Sequence, residues 1–508
     1  MFTQSRIGIM ISIILYLIVM VTIGYYYSKR TKNAGDFYLG GRKLGPFVTA
    51  MSAEASDMSG WLLMGLPGVA LAGSIAEASW TAIGLAIGTY INWLIVAKRL
   101  RCYTEVSGNS VTLPEFFHNR FRDNSNILKL IAALFIVVFF VPYTASGFVT
   151  CGKLFATVFS IDYVTAMIIS AIVIVLYTSM GGFSAASQTD FIQSIIMSIA
   201  LFVVLGFGVS NAGGIGAVVD NAKSLEGYFS LFSYNAGGVA KPYDALTIAS
   251  LLAWGLGYFG MPHVLLRFMA INDEDKLALS RIIATVWVVI SMFVAIAIGV
   301  IGYSLTINGV MPNLEDSETI IVVISTLISE YGFVFALAAG LILAGILAST
   351  MSTADSQLLA ASSSISEDIA KGVFKVKLSD KKTMIIARLT VIAVSVIGVI
   401  LAFDPNSSVF DIVSFAWAGF GAAFGPVVLA ALFWKRANKY GAIAGLISGG
   451  AMVFIWKYGI AKLGGIWAIY ELLPAFVFGT LVLVVVSLLT PAPEKDIIDE
   501  YNEVMKRI

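Results

Sequence analysis

The chain has 508 residues, of which 58% are hydrophobic and only 12% charged, and its formal net charge is +1. Soluble globular proteins carry about 25% charged residues, so this composition excludes an ordinary soluble domain. A near-neutral charge without a basic run gives no indication of nucleic-acid binding. The apolar residues form long blocks with a mean hydropathy of +0.89, which predicts an all-α polytopic membrane protein.

Thirteen blocks are long and apolar enough to be transmembrane helices. They lie at residues 7–28, 46–72, 76–98, 126–156, 162–181, 188–211, 246–268, 281–305, 332–368, 383–403, 409–434, 439–460 and 468–490. The segment 314–330 is apolar on one side and flanked by acids, so we predict an external amphipathic helix there. The loops leave no room for a separate catalytic domain, so residues 1–508 are predicted to form one transmembrane domain.

The positive charges predict the orientation. With the N-terminus outside and the C-terminus inside, thirteen spans place 26 of the 32 Lys and Arg residues on the inner side. This bias is the one that membrane proteins show. Only Arg6 precedes the first span, whereas Lys29, Arg30 and Lys32 follow it. That order is the reverse of a signal peptide, so 7–28 is predicted to stay uncleaved.

Two predicted spans contain residues that interrupt helices: "ASDMSGW" at 55–61 and "WGLGYFGMPH" at 254–263. Irregular backbone at bilayer depth is tolerated only inside protein or beside a cavity, and a pair of such spans indicates a transporter's central site. Spans two to six and seven to eleven then form two groups of five. This predicts an inverted repeat of 46–211 and 246–434, with 7–28 and 439–490 outside it. The alternative is that the glycines only allow close helix packing.

Five blocks carry a resemblance to a known family. They are "LGGRKLGPFVTAMSAEASDMSGWLLMGLPG" (39–68), "LYTSMGGFSAASQTDFIQ" (176–193), "WGLGYFGMPH" (254–263), "ILASTMSTADSQLLAASSSISEDI" (346–369) and "SFAWAGFGAAFGPVVL" (414–429). Together they resemble the sodium/solute symporter family, and within it the proline-transporting branch. The resemblance implies a LeuT-type fold with one extra N-terminal helix. It also implies sodium-coupled uptake by alternating access.

The resemblance further implies a site for Na⁺, the coupling ion. Its ligands would be the carbonyls of Ala55, Met58 and Ser349 and the hydroxyls of Ser352 and Thr353. The i, i+3, i+4 spacing of the last three places them on one helical face. The alternative is that these hydroxyls bond to carbonyls of the preceding turn.

Two aspartates, Asp57 and Asp190, are assigned to sodium by the same resemblance. Asp57 would either touch the ion or hold the break open, and the sequence leaves both possibilities. Asp190 is equally consistent with a helix N-cap or first-turn acid.

Glu54 departs from the family, whose members usually carry a small residue at this position. It lies one helical turn before Asp57. Three interpretations remain open: a salt bridge to a basic group, a protonated structural glutamate, or an additional cation or proton site.

L-Proline, the expected substrate, is a small zwitterion that needs polar partners at one end and an apolar wall for its ring. The family's substrate determinants correspond to Ser59, Gly60, Tyr143, Trp254, Tyr258 and Pro262. The alternative for the aromatic residues is an interfacial belt. Arg42 corresponds to an important family arginine, either part of an inner gate or an ordinary inner-side cation.

The sequence therefore predicts a Na⁺:L-proline symporter in the cell membrane of a prokaryote, in contact with the lipid bilayer and without a nucleic-acid partner. Alternatives are another small solute such as pantothenate, or proton-assisted coupling through Glu54. Two hypotheses from other functional classes are a channel and a membrane enzyme. The sequence shows neither the repeated selectivity filter of a channel nor a catalytic motif. His118 and His263 are too far apart in the predicted topology to form a metal site. The sequence predicts no oligomeric state.

Overall fold

The computed structural model describes residues 4–29 and 34–508. Over these residues the chain forms twenty α-helices and one antiparallel β-hairpin. Ten helices in this part of the chain are apolar and long enough to cross a membrane, and one bent pair makes eleven. The chain is thus a helical polytopic membrane protein. Arg30 and Lys32, which contribute to the predicted orientation, lie outside the described residues.

The first half of the chain contains ten helices. They are α1 (Gln4–Ser28), α2 (Ala34–Leu39), α3 (Pro46–Asp57), α4 (Leu66–Ala72), α5 (Ile75–Ile91), α6 (Ala97–Val106), α7 (Leu113–Phe121), α8 (Ile127–Phe159), α9 (Tyr163–Asn211) and α10 (Gly214–Ser224). Three shorter helical segments join them, the 3₁₀ turn Gly40–Arg42 and the π-helical segments Trp61–Gly65 and Asn92–Val96.

The second half begins with the hairpin strands β1 (Ser233–Ala236) and β2 (Val239–Pro242). Its helices are α11 (Ala245–Leu252), α12 (Pro262–Ala270), α13 (Leu277–Ile307), α14 (Ile320–Ser329), α15 (Phe333–Ser363), α16 (Asp380–Leu401), α17 (Val409–Phe433), α18 (Lys439–Tyr458), α19 (Leu472–Leu489) and α20 (Lys495–Arg507). Shorter helical segments lie at Ala253–Gly260, Glu274–Lys276, Ser317–Thr319, Ser364–Val373, Ile460–Leu463 and Gly465–Trp467.

Both predicted helix breaks are confirmed. Helix α3 ends at Asp57, and Met58 has the non-helical angles φ −79° and ψ 68° before helical structure resumes at Trp61. Helix α11 continues as a 3₁₀ segment, and the chain then bends by 48° into α12. Met261 is extended at this bend because the following Pro262 disfavours a helical conformation in the residue before it.

The thirteen predicted spans are not all recovered by length and composition. The span at 46–72 is divided by the break, and the one at 162–181 corresponds to the short apolar helix Tyr163–Ser179. That helix ends near Gly182, where α9 departs from helical geometry with φ 69° and ψ 178°. Glycine permits this left-handed φ at little cost. Thirteen spans and their orientation therefore stay predictions.

The all-α expectation needs one correction, because strands β1 and β2 pair as a hairpin. Gly237 and Gly238 connect the two strands, with φ of +64° and +86°. Two-residue hairpin loops favour glycine because their twist requires positive φ. The Gly-Gly pair in the sequence indicates this turn, whereas the hydropathy pattern does not.

Helices α3, α12 and α15 lie at the centre of the molecule, and α3 packs against α9, α12, α13 and α15. Their side chains are buried along most of their length, including many polar ones. Peripheral helices instead expose large apolar side chains, such as Leu15 and Ile18 on α1 and Leu389 and Ile400 on α16. This arrangement encloses a polar centre within an apolar surface suited to lipid.

The helix predicted at 314–330 is present over Ser317–Ser329, and Glu318 in its first turn is buried. Glu318 accepts hydrogen bonds from the amides of Val409 and Phe410 at the first turn of α17, both at 3.0 Å. A carboxylate is favourable there because a helix N-terminus carries partial positive charge. Lys153 of α8 donates to both Glu318 and Asp316 at 2.7 Å. Lys153 is thus a buried cation whose ion pairs join α8 to the segment before α14, rather than a surface cation.

Replacing Lys153 with Met should lower the free energy of unfolding by about 3–5 kcal/mol, because it leaves the Glu318 carboxylate buried without its cation. Thermal denaturation in detergent micelles measures this. The double variant Lys153→Met, Glu318→Gln should lose less than Lys153→Met alone, and Lys223→Met on the exposed surface should change little. A double variant less stable than Lys153→Met would contradict the ion-pair account.

Candidate functional site

The break after α3 is stabilised by its own hydrogen bonds. The amide of Ser59 donates to the carbonyl of Asp57 at 2.9 Å, and the amide of Trp61 donates to the Ser59 hydroxyl at 3.2 Å. Because the Ser59 side chain supplies an acceptor, the backbone leaves helical geometry without leaving all of its polar groups unpaired. These two hydrogen bonds of Ser59 lie within the break, and Ser59 also contacts Tyr143 of α8.

The predicted sodium residues are brought together in part. The hydroxyl of Ser352 on α15 donates to the carbonyl of Ala55 on α3 at 2.8 Å, which joins the two predicted halves of the site. The hydroxyls of Ser349 and Thr353 instead donate to Ile346 and Ser349 in their own helix. Met58 is buried beside them in the break. The Ser352 hydroxyl also lies 3.1 Å from the carbonyl of Ser349, so the helix-internal alternative applies to all three hydroxyls, and Ser352 reaches α3 as well.

Asp57 contacts two of the predicted substrate residues. Its Oδ2 accepts a hydrogen bond from the Tyr258 hydroxyl at 2.7 Å, and its backbone carbonyl accepts one from the Tyr143 hydroxyl at 3.2 Å. Its Oδ1 is buried without a donor among the described residues. The Asp57 side chain therefore joins the tyrosines, while the Ala55 carbonyl faces α15.

A small cavity of about 10 Å³ lies beside Asp57. It is lined by Asp57, Trp61, Leu85, Tyr143, Trp254, Val413 and Trp417. This volume is close to the minimum that holds one water molecule. A molecule larger than water can enter this space only if the surrounding side chains move apart.

Aromatic rings form most of the wall. Trp254 lies 5.8 Å from Trp61, 5.3 Å from Phe410 and 5.0 Å from Tyr470, measured between ring centroids. Trp417 donates its indole N–H to the carbonyl of Trp254 at 2.8 Å. Trp254 is thus buried inside the protein, and the interfacial-belt alternative is wrong for this residue.

Gly60 and Pro262, both predicted substrate residues, shape the breaks and do not line the cavity. A Cβ atom on Gly60 would overlap the side chain of Thr150 on α8, so this position requires close backbone approach. Pro262 is the first residue of α12, where its missing N–H costs nothing.

Asp190 lies in a buried network that the sequence did not predict. Its Oδ2 accepts hydrogen bonds from Ser52 at 2.6 Å and from Arg267 at 3.1 Å. Arg267 also donates to Ser52 and Ser356. Because Asp190 lies well inside α9, beyond its kink at Gly182, the N-cap and first-turn alternative is wrong.

The predicted position of Arg267 also needs a correction. It lies at the end of the predicted span 246–268 and belongs to the 26 cations counted on the inner side, but its side chain is 1% exposed and paired with Asp190. A guanidinium can occupy such a position because its several N–H groups find oxygen acceptors on α3, α9, α12 and α15.

Glu54 is 1% exposed and accepts a hydrogen bond from the Trp93 indole N–H at 2.9 Å. Its other oxygen has no donor within the described part of the chain. No ion pair to Glu54 occurs among the residues 4–29 and 34–508, so the salt-bridge interpretation is not supported.

Arg42 connects three segments on one side of the molecule. It follows two left-handed glycines, and its guanidinium donates to the Asn109 side chain and to the carbonyls of Ser110 and Met269. These bonds tie the start of α3 to the loop after α6 and to the end of α12. This set of hydrogen bonds is more consistent with a residue of an inner gate than with a freely solvated cation.

Four lining residues were missed by sequence reasoning: Trp61, Leu85, Val413 and Trp417. Trp61 and Trp417 lie within blocks that carry the family resemblance, so a signal existed for them. Leu85 and Val413 had no signal, because an aliphatic residue in an apolar helix is unremarkable.

Gly60→Ala should destabilise the protein by about 1–3 kcal/mol, because the added methyl group overlaps Thr150. Thermal denaturation in detergent measures the loss, and adding Thr150→Ala should restore part of it. Gly206→Ala is the matched control, since no atom of the described residues lies within 4 Å of its Cβ position. Equal losses for Gly60→Ala and Gly206→Ala would contradict the steric explanation.

Comparisons with solved structures place the fold. A substrate-bound, outward-open Na⁺-coupled sialic acid symporter aligns with a TM-score of 0.78 at 20% identity, covering 96% of this chain and 99% of that one. Mhp1, a nucleobase-cation-symport-1 family transporter, aligns with a TM-score of 0.54 at 11% identity, covering 93% and 100%. At such identities the likeness concerns the fold alone, which is LeuT-like.

Sequence comparisons extend the likeness over nearly the whole chain. The osmoregulated proline transporter OpuE of Bacillus subtilis (strain 168) is 42% identical over 491 residues, 96% of each chain. The high-affinity proline transporter PutP of the same strain is 44% identical over 485 residues, 95% of this chain and 98% of that one. The sodium/proline symporter of Staphylococcus aureus (strain USA300) is 41% identical over 501 residues, 97% and 95%.

A profile of the Sodium:solute symporter family matches residues 37–449, which include both helix breaks and the cavity wall. With this match and relatives above 40% identity over almost their full length, the chain belongs to the sodium:solute symporter family.

Proposed function

We propose that this chain is a secondary active symporter that imports L-proline together with Na⁺ by alternating access. The observation that carries the proposal is the break in α3. On one side its Ala55 carbonyl meets Ser352 of α15, and on the other Asp57 borders an aromatic cavity. One turn thus offers an oxygen site for a hard cation and a wall for an apolar ring. The names of the proline-transporting relatives support the solute.

The proposed architecture has thirteen transmembrane helices with the N-terminus outside and the C-terminus inside. Residues 46–211 and 246–434 form inverted repeats, while 7–28 and 439–490 lie outside them. Support comes from the breaks, since α3 and the bent pair α11–α12 begin the two proposed repeats. The proposed location is the plasma membrane of a prokaryote, in line with the lipid-facing helices and bacterial relatives.

The proposed sodium ligands are the carbonyls of Ala55, Met58 and Ser349 and the hydroxyls of Ser352 and Thr353. The bond between Ser352 and Ala55 supports this site, because the same two oxygens can turn toward an ion. Asp57 acts nearby through its charge, and Asp190, which is paired with Arg267, acts through its position beside α3. Asp190 is bonded to Ser52, one turn before Ala55 on α3, and so contacts the same helix from α9.

The proposed substrate site surrounds the cavity, with Tyr143 and Trp254 in its wall and Tyr258 bonded to Asp57. Ser59, Gly60 and Pro262 set the backbone at its edges. The aromatic faces suit both the pyrrolidine ring and its cationic nitrogen. The present cavity is smaller than proline, so binding requires the wall to open. We propose that Arg42 controls the route on its side by releasing the bonds described above.

Sodium-dependent proline uptake into proteoliposomes tests the function directly. Asp57→Asn should reduce uptake at least a hundredfold, because it removes a buried charge beside both sites. Asp220→Asn, a matched change of an exposed acid, should leave uptake near the wild-type rate. Proline uptake that persists unchanged without sodium would overturn the coupling, and stronger competition by pantothenate would overturn the solute.

Ser352→Ala should raise the sodium concentration for half-maximal uptake about tenfold, because losing one ligand costs about 1.4 kcal/mol. Uptake measured across a sodium series gives this value. Ser210→Ala removes an outward-facing hydroxyl bonded within its own helix, and it should leave the sodium dependence unchanged. An unaltered sodium series for Ser352→Ala would exclude this residue as a ligand.

A further inference from the structure

Helix α3 carries two buried carboxylates one turn apart, Glu54 at 1% exposure and Asp57 at 5%. Neighbours at i and i+3 lie on the same side of a helix, about 5–6 Å apart at their Cβ atoms. No Lys or Arg pairs with either carboxylate in the described ranges, and Arg267 is engaged by Asp190. Buried charges are normally paired or coordinate a cation.

Each carboxylate has one satisfied and one unsatisfied oxygen. Trp93 donates to Glu54 Oε1 at 2.9 Å, and Tyr258 donates to Asp57 Oδ2 at 2.7 Å. Glu54 Oε2 and Asp57 Oδ1 are buried and have no donor among the described residues. The two bonded oxygens orient the carboxylates, so each leaves its second oxygen for another partner.

A third buried oxygen belongs to the same group. Asn92 precedes Trp93, is 0% exposed, and donates through Nδ2 to the carbonyl of Tyr258 at 3.2 Å. Its Oδ1 has no donor in the described part of the chain. Asn92 is therefore next in the chain to the donor of Glu54 and bonded to the backbone of the donor of Asp57, and it opens the π-helical segment Asn92–Val96. Such π-helical insertions are frequent at functional sites.

Glu54 Oε2, Asp57 Oδ1 and Asn92 Oδ1 are all acceptors, so a cation can serve as their common partner. Oxygen ligands from carboxylates and an amide suit a hard ion. A grouping of three His, Cys, Asp or Glu that would suit a transition metal is absent from the described residues. Mg²⁺ retains several waters and Ca²⁺ takes six to eight oxygens, whereas the cavity beside Asp57, of about 10 Å³, is water-sized. These features favour a small monovalent cation.

We propose that Glu54, Asp57 and Asn92 bind a second Na⁺, separate from the one at Ala55 and Ser352. The two positions lie on different sides of α3, since Glu54 faces Trp93 whereas the Ala55 carbonyl faces α15. As a coupling ion this second Na⁺ rests on the proposed symport function. Its charge would raise the ratio of inside to outside proline concentration about 50-fold at a membrane potential of 100 mV.

Equilibrium binding of ²²Na⁺ to the purified protein in detergent, without proline, tests the site. Wild type should bind two ions and Glu54→Gln one. The substitution removes the charge but keeps an acceptor for Trp93. Asn92→Ala should weaken one of the two binding steps about tenfold, and it provides a second variant if Glu54→Gln folds poorly. Glu226→Gln, at an exposed acid, should still bind two.

Wild type binding a single Na⁺, or Glu54→Gln retaining two, would overturn the proposal. Proline uptake driven by a proton gradient without sodium, and lost in Glu54→Gln, would overturn it in favour of a proton at this position. In proteoliposomes the ratio of Na⁺ to proline transported should fall from two to one in Glu54→Gln. Two bound sodium ions without sodium-driven proline uptake would preserve the site and refute the proposed function instead.

Discussion

A backbone that leaves helical geometry inside a bilayer must find new partners for its polar groups, and the break at Met58 to Gly60 is where this chain meets that requirement. Ser352 of α15 donates to the carbonyl of Ala55, and Tyr143 of α8 donates to that of Asp57. The unpaired turn therefore attaches three helices to one another. The positions of the cavity, the carboxylate and the oxygen site all depend on this single interruption.

The buried carboxylates at the centre of the molecule have two different kinds of hydrogen-bond partner. Asp190 is neutralised by Arg267, and the hydroxyls of Ser52 and Ser356 bond to the pair, although Asp190 Oδ1 has no donor among the described residues. Removing either partner of such a buried pair is costly, although the pair itself contributes little net stability. Asp57 and Glu54 have only neutral donors among the described residues. The first arrangement contains its own countercharge, whereas the second lacks one among the described residues, which is where we propose the second Na⁺.

The breaks were predictable because Ser, Gly and Pro interrupt otherwise apolar spans, and the predicted contact between Ala55 and α15 was found. Arg267 and Lys153 were not predictable, because a charge count assigns any cation near a span end to water. Whether such a side chain turns inward depends on acceptors supplied by distant helices, Asp190 for one and Glu318 for the other. Leu85 and Val413 were missed for the same reason, since only the packed helices show which aliphatic residues meet at the cavity.

The size of that cavity also bears on how the membrane stays sealed. A space of about 10 Å³, walled by three tryptophans and a tyrosine, holds at most a single water molecule. No hydrogen-bonded file of water fits inside it, so neither protons nor hydrated ions can follow such a file through this cavity while the rings are together. The aromatic wall would then limit ion leakage as well as contact the substrate. The ion gradient would be coupled to transport and would not dissipate through the closed cavity.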